Sequence, residues 1–259
     1  MTANTILITG CTRGIGRALA LKFANFGYRV YAVGRDQALL NTLIFENSQI
    51  VPVAADLTFD SGRQTIVAAL KNAGDISIIH NAGISEPKPF SSLPEETLRK
   101  HFEINFFAPL FLTQMLLPQL QNQRILSIST GAAVSAMSSH IAYCTSKGAF
   151  HHAIQCLNAE LNQESIYFSN LRPGMVDTDM QIGLRNASDA DLPPQRKAVY
   201  LRAKAENTLI SPAVVAEFAA WVMTKTDNVT FSETFWDIYD ATLYSQWLPS
   251  GFKIEAPHS

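Results

Sequence analysis

The stretch that decides the fold is Thr5-Ile-Leu-Ile-Thr9-Gly10-Cys-Thr12-Arg13-Gly14-Ile15-Gly16-Arg-Ala-Leu-Ala. Thr5–Thr9 is a short Ile/Leu/Thr run of strand type, and a helical period sets in over Arg17–Phe26. Between them, Gly10, Gly14 and Gly16 let the backbone come close to a phosphate, while the helix start supplies free N–H groups and the positive end of its dipole. The spacing Gly-x-x-x-Gly-x-Gly differs from the usual dinucleotide fingerprint Gly-x-Gly-x-x-Gly. A strand before the turn, a helix after it and a further strand from Tyr28 still mark it as a phosphate-binding turn.

Outward from this unit, apolar runs at Tyr28–Val33, Ile50–Ala55, Ile76–His80, Arg124–Ser129, Ile166–Leu171 and Thr234–Ile238 alternate with helical patterns such as Arg63–Lys71, Pro94–Leu120 and Ala142–Leu161. Near-continuous Val/Ile/Leu runs belong to strands buried on both faces, and their alternation with helices predicts βαβ units. The expected fold class is α/β: a doubly wound, Rossmann-like parallel sheet of about seven strands, one domain spanning 1–259. Thr178–Pro194 reads as polar and irregular, and 178–207 is expected to be a substrate lid.

Composition removes several function classes. A net charge of −2 gives no footprint for nucleic acid, and 47% hydrophobic residues exclude disorder. Cys11, Cys144 and Cys156 form neither a disulfide framework nor a paired zinc motif, so no metal is expected and a reducing cytoplasmic setting is. No apolar window is long enough for a membrane span, and the N-terminus lacks the pattern of a signal peptide.

The end of the second strand bears on the cofactor. An Asp or Glu there would take the ribose 2′-hydroxyl of NAD, whereas Arg takes the 2′-phosphate of NADP. The sequence is Ala32-Val33-Gly34-Arg35, with no carboxylate at the strand end. Arg13 adds a second guanidinium, and planar forks hold phosphate bidentately. NADP(H) is the expected cofactor, although Asp36 stands next to Arg35.

Further motifs follow in order: Asp56-Leu57, His80-Asn81-Ala82-Gly83, Asn105, Tyr143-Cys-Thr-Ser-Lys147 and Pro173-Gly174-Met-Val176-Asp-Thr178. With the glycine turn, this series resembles the short-chain dehydrogenase/reductase family over nearly the whole chain. The resemblance implies an adenine contact at Asp56-Leu57 and a cofactor-binding turn at Asn81, Ala82 and Gly83, with His80 where the family has its first Asn. It implies Asn105 as the structural and catalytic Asn, Tyr143 and Lys147 as the catalytic pair, and the turn from Pro173 and Gly174 to Val176 and Thr178 as the nicotinamide contact. The family's hydroxyl stands thirteen residues before the Tyr, and here that position is Thr130. The string Ser129-Thr130-Gly131-Ala132 resembles the form seen in sepiapterin-reductase-like members. A Thr hydroxyl donates the same bond as Ser, with a stiffer χ1; Ser129, on the other strand face, is the fallback.

Tyr143 and Lys147 lie at i and i+4, on one helix face. An ammonium beside a phenol favours phenolate and lowers its pKa from ~10. Tyr143 would then act as general acid or base in hydride transfer between nicotinamide and a carbonyl or alcohol. The second Tyr-x-x-x-Lys, Tyr200 to Lys204, has no strand end before it to deliver a hydroxyl and reads as chance. Cys11 and Cys144 read as small buried thiols, His140 as a substrate contact or a loop residue, and Pro109 as a bend. Met137, Met175, Met180, Ile182 and Leu184 suggest an apolar pocket for a small-molecule substrate. Helices Asn105–Leu120 and Ala142–Leu161 resemble the family's subunit-packing pair, implying a homodimer or homotetramer. Tail aromatics around Trp236 and Trp247 would cover a neighbouring subunit or close the pocket. Two other readings share these features: a catalytically weak NADP(H)-binding regulator on the same fold, and a nucleotide-sugar epimerase, which usually has a larger substrate region and other glycine spacing.

Overall fold

The computed structural model describes residues 4–248 and residue 254. Seven strands, β1 (Thr5–Thr9), β2 (Arg29–Gly34), β3 (Ile50–Ala54), β4 (Ile76–His80), β5 (Arg124–Ile128), β6 (Tyr167–Arg172) and β7 (Phe235–Asp237), form one sheet in the order β3-β2-β1-β4-β5-β6-β7. Every neighbouring pair is parallel. The apolar runs therefore mark a sheet covered on both faces, as continuous hydrophobic strands require. The order reverses between β1 and β4, and ligands of open α/β sheets bind outside the strand ends at such a switch point.

Helix α1 (Gly14–Asn25) and the later helix Pro212–Lys225 cover one face, where Leu19, Phe23, Phe218 and Val222 are fully buried. The other face packs Ile78, Leu112, Ile125, Phe150 and Phe168. The helices between α1 and Pro212–Lys225 are α2 (Gln37–Glu46), α3 (Asp60–Leu70), α4 (Glu95–Phe102), α5 (Ala108–Leu116), α6 (Ile141–Leu161), α7 (Asp179–Asn186) and α8 (Pro194–Ala205). Pro212–Lys225 is thus α9, and it is followed by α10 (Asn228–Glu233) and α11 (Tyr244–Trp247).

Three expectations change. The pattern over Pro94–Leu120 is not one helix: a π-helical turn at Glu103–Phe107 separates α4 from α5. Pro109 has no N–H to give the carbonyl four residues back, which is that of Asn105, and the widened turn adapts to that loss. Second, Thr178–Pro194 is not irregular throughout, because α7 fills its first half. Asp179 in the first turn favours the helix dipole, and Leu184 buries against Leu192 and Tyr200. Third, the tail aromatics pack on their own chain. Trp236 meets Trp221 edge-on at 5.5 Å, and Trp247 meets Phe218 at 4.5 Å, so both cover α9.

Candidate active site

The glycine turn is built by backbone demands. Gly10 and Gly14 have φ of +75° and +55°, a region that only glycine enters freely. At Gly16 a Cβ would lie 2.1 Å from the Gly10 carbonyl oxygen, so the turn closes only without a side chain. Asn81, leaving β4, secures the turn: its Nδ2 donates to the Thr9 carbonyl at 2.9 Å, and the Thr9 hydroxyl accepts from the N–H groups of Asn81 and Ala82. Helix α1 starts at Arg13 with no side-chain cap and no acidic residue in its first turn. Its leading N–H groups face the turn unmatched, an arrangement that fits a phosphate.

A cavity of about 1030 Å³ runs from this turn across the strand ends. Gly10, Thr12, Arg13, Gly14, Ile15 and Arg35 line one end, followed by Asp56, Leu57 and Asn81–Gly83. Gly16 is not on the wall but under it, where it brings α1 against the turn. Asp36 spends its carboxylate on the N-terminus of α2, accepting from the Leu39 N–H at 3.0 Å. Arg35 enters no ion pair among the described residues, whereas Arg13 pairs with Asp179 at 2.9 Å. Both partners of that pair are well exposed, so it holds Arg13 only weakly.

Across the cavity stand Thr130, Tyr143 and Lys147. Thr130 follows β5 in extended conformation, and its oxygen accepts from the Ala132 N–H at 3.2 Å. Its hydroxyl is close enough to the Tyr143 phenol to favour the ionised form. Ser129 Oγ lies 3.5 Å from His151 Nδ1, on the other side of the strand, as the alternation of side chains dictates. Lys147 Nζ donates to the Ile128 carbonyl at 3.0 Å.

The electrostatics differ from the sequence expectation. Burial pushes the Tyr143 phenol up to about 12, only partly offset by the Thr130 hydroxyl nearby, rather than down. Burial likewise lowers the Lys147 ammonium to about 8. Desolvation disfavours each charged form and is the largest cause for both groups.

Asn105, in the π-helical turn, is fully engaged. Its Oδ1 accepts from the Ile84 N–H at 2.9 Å, and its Nδ2 donates to the Ile84 carbonyl and to Ser146 Oγ, each at 3.0 Å. The side chain therefore ties the β4 exit to α6 and has no further proton to give.

His80 fills the position of the family's Asn without facing the cavity. The Thr113 hydroxyl donates to the Pro109 carbonyl at 2.9 Å, so the 2.8 Å contact of His80 with Thr113 is a donation from His80 Nε2. Complete burial and the Lys147 charge bring His80 down to about 3, a neutral structural group. Cys11 donates to the Ile8 carbonyl and Cys144 is half-buried; burial raises both thiols, as inert cysteines show.

Pro173, Gly174, Val176 and Thr178 form the far wall. Gly174 has φ +73°, and a Cβ there would meet the Tyr239 hydroxyl at 2.6 Å. That hydroxyl accepts from the Met175 N–H, so one tail aromatic does close the cavity. Met137, Met175, Met180 and Leu184 line it, whereas Ile182 is 46% exposed and off the wall. His140 is only 2% exposed and lines the cavity, so it is not a surface loop residue. Tyr200 lines the cavity as well, but Lys204 turns away to Asp177 at 2.8 Å, and no second dyad forms. Arg196, on the cavity wall, had escaped notice because a lone Arg in a polar helix carries no motif.

Sheet order, switch point and cavity place the chain among the Rossmann-like α/β proteins. The family model described as short chain dehydrogenase matches residues 4–189, and the chain belongs to that family of oxidoreductases. It is 33% identical over 221 residues to an uncharacterized oxidoreductase of Schizosaccharomyces pombe, covering 83% of this chain and 88% of that one. It is 32% identical over 200 residues to D-erythrulose reductase of Gallus gallus, covering 75% and 78%. Among solved structures, a short chain dehydrogenase/reductase of Saccharomyces cerevisiae superposes with a TM-score of 0.86 at 29% identity, over 95% of this chain and all of that one. Among the described residues, no helix is long and apolar enough to cross a membrane.

Proposed function

We propose that the protein is an NADP(H)-dependent carbonyl reductase, with Tyr143 as the general acid. The observation that carries this reading is that Thr130, Tyr143 and Lys147 stand together on the wall of the same cavity that the glycine turn opens. The similarity to D-erythrulose reductase supports the reductive direction and a small carbonyl substrate.

The residues fit the cofactor. The uncapped start of α1 suits the diphosphate, Arg35 with Arg13 the 2′-phosphate, Asp56 and Leu57 the adenine end, and Asn81–Gly83 with Pro173–Thr178 the nicotinamide end. A reduced nicotinamide, when bound, supplies the hydride. The protein's part is the proton and the geometry. The Thr130 hydroxyl, its oxygen held by the Ala132 N–H, donates to the substrate carbonyl and polarises it. Tyr143, kept protonated by burial, gives its phenolic proton to the developing alkoxide. The Lys147 ammonium then stabilises the phenolate left behind, and it is also placed to hold the nicotinamide ribose. Asn105 is a positioning residue: through Ile84 and Ser146 it holds the β4 exit against the helix of Tyr143 and Lys147.

We further assign 1–259 to one domain with 178–207 as its substrate lid, a cytoplasmic setting, and a homodimer or homotetramer formed on α5 and α6. The activity is tested by NADPH oxidation over a panel of ketones and aldehydes. Turnover at rates typical of enzymes supports the reading; NADPH binding with no turnover across the panel favours the regulatory protein.

A further inference from the structure

Half of the charged side chains that line the cavity are in ion pairs. Arg13 has Asp179, Arg172 has Asp237 at 2.9 Å, and Glu86 has Lys100 at 2.7 Å. Two guanidinium groups on the wall are in no ion pair among the described residues: Arg35 and Arg196. Arg35 stands beside the glycine turn, where the cofactor phosphate accounts for it. Arg196 stands at the other end, on α8, and no cofactor group reaches that position in the reading above.

Arg196 is held, not loose. Its guanidinium lies over the Tyr200 ring at 5.4 Å, while its Nε is buried with no acceptor among the described residues. Tyr200 is 3% exposed and close enough to Tyr143 to act on its phenol electrostatically. His140, 2% exposed, sets its ring 6.4 Å from Tyr200 and has a buried Nε2 with no partner. The Arg196 charge opposes protonation of His140 and favours ionisation of Cys144 and Tyr200, so all three groups lie within its reach. A buried donor without an acceptor is costly, and a planar fork matches a carboxylate bidentately.

We infer that Arg196 and Tyr200 form a substrate subsite for a carboxylate, so that the preferred substrates are oxo-carboxylates reduced at a carbonyl remote from the acid group. This rests on the carbonyl-reductase reading. The contact lies on α8, so the same group would draw the 178–207 segment over the substrate.

The test uses the full chain with NADPH and two matched pairs: 3- and 4-formylbenzoate against their methyl esters. For at least one isomer, kcat/KM for the acid should exceed that for the ester by about 10- to 100-fold, the range of a charge-assisted hydrogen bond. Arg196→Met should bring that ratio to near one, and Arg196→Lys should restore part of it. A ratio near one in the natural protein for both isomers, or an unchanged ratio in Arg196→Met, overturns the subsite while leaving the reductase reading intact. If neither aldehyde is turned over, binding of 3- and 4-(hydroxymethyl)benzoate in the presence of NADP⁺ decides by calorimetry. Weaker binding to Arg196→Met upholds the subsite although the reductase reading fails, and equal binding overturns it.

Discussion

Thr130 and Tyr143 line the same cavity, with the Thr130 hydroxyl near enough to favour ionisation of the phenol, whereas Ser129, one residue earlier, points to His151. Two adjacent hydroxyls on one strand end are thereby separated, one towards the cavity chemistry and one into the protein interior. Thr130→Val is nearly isosteric and removes only the hydroxyl. It should lower kcat/KM for carbonyl reduction by about 10²–10³, the cost of one lost oxyanion-type donor. Ser129→Ala should change the rate little. Steady-state kinetics of both variants check this, and the reverse pattern would make Ser129 the partner.

Lys147 gives the pH profile its sign. Its ammonium is brought down to about 8, so the charged form that supports Tyr143 is lost as pH rises through that value. The phenol, at about 12, stays protonated throughout. The free-enzyme profile of kcat/KM for reduction should therefore fall on the alkaline side with a midpoint near 8. A midpoint near the phenol's value would assign the fall to Tyr143 instead. Stability moves the other way: between about 8 and the ordinary lysine value the unfolded chain binds more protons, so this group makes stability rise with pH there.

His80 has an acid counterpart. It stays neutral in the fold down to about 3, while the unfolded side chain takes a proton below ~6.5. Its share of stability is therefore lost as pH falls through that window. His101, His140 and His151 are lowered in the same direction, so the comparison must be made with a variant. The drop in Tm from pH 7 to 5 should be smaller in His80→Asn than in the natural protein. An equal drop would assign the acid sensitivity to the other histidines.

Cofactor choice follows from the two arginines of the turn. Arg35→Asp should weaken NADPH binding by about tenfold or more, the scale of a lost charged hydrogen bond, and improve NADH relative to it. Fluorescence titration reads both affinities. Equal affinities for NADPH and NADH in the natural protein would contradict the assignment.

Assembly is predicted from the exposed face formed by the end of the π-helical turn and the start of α5. Phe107 and Phe111 are 38% and 41% exposed and stack at 6.1 Å with an interplanar angle of 9°. Such a pair on an apolar helix suits a symmetric contact. Light scattering at micromolar concentration should give a dimer or tetramer, and Phe111→Glu should shift it towards monomer. A monomeric natural protein would remove the proposal.

The strands were legible because a strand buried on both faces is written as a predominantly apolar run, as at Thr5–Thr9 and Ile76–His80. Helix α9 escaped the same reading because Pro212–Met223 is apolar nearly all round and shows no stripe. The glycine turn and the Tyr–Lys spacing were legible because local geometry forces them. What could not be read was anything set by distant partners. The saturation of Asn105 depends on Ile84 and Ser146, the role of His80 on Thr113, and the exposure of Arg196 to the cavity on how α8 lies over it. The rise of the Tyr143 pKa is set in the same way, since burial is a property of the packed chain.

The central claim is that Tyr143 transfers the proton in an NADPH-dependent reduction. Tyr143→Phe keeps the ring and deletes only that proton. Measured on the best carbonyl substrate, it should lower kcat by about 10²–10⁴, while fluorescence titration shows NADPH still bound through the glycine turn and Arg35. Full activity in Tyr143→Phe would contradict the account.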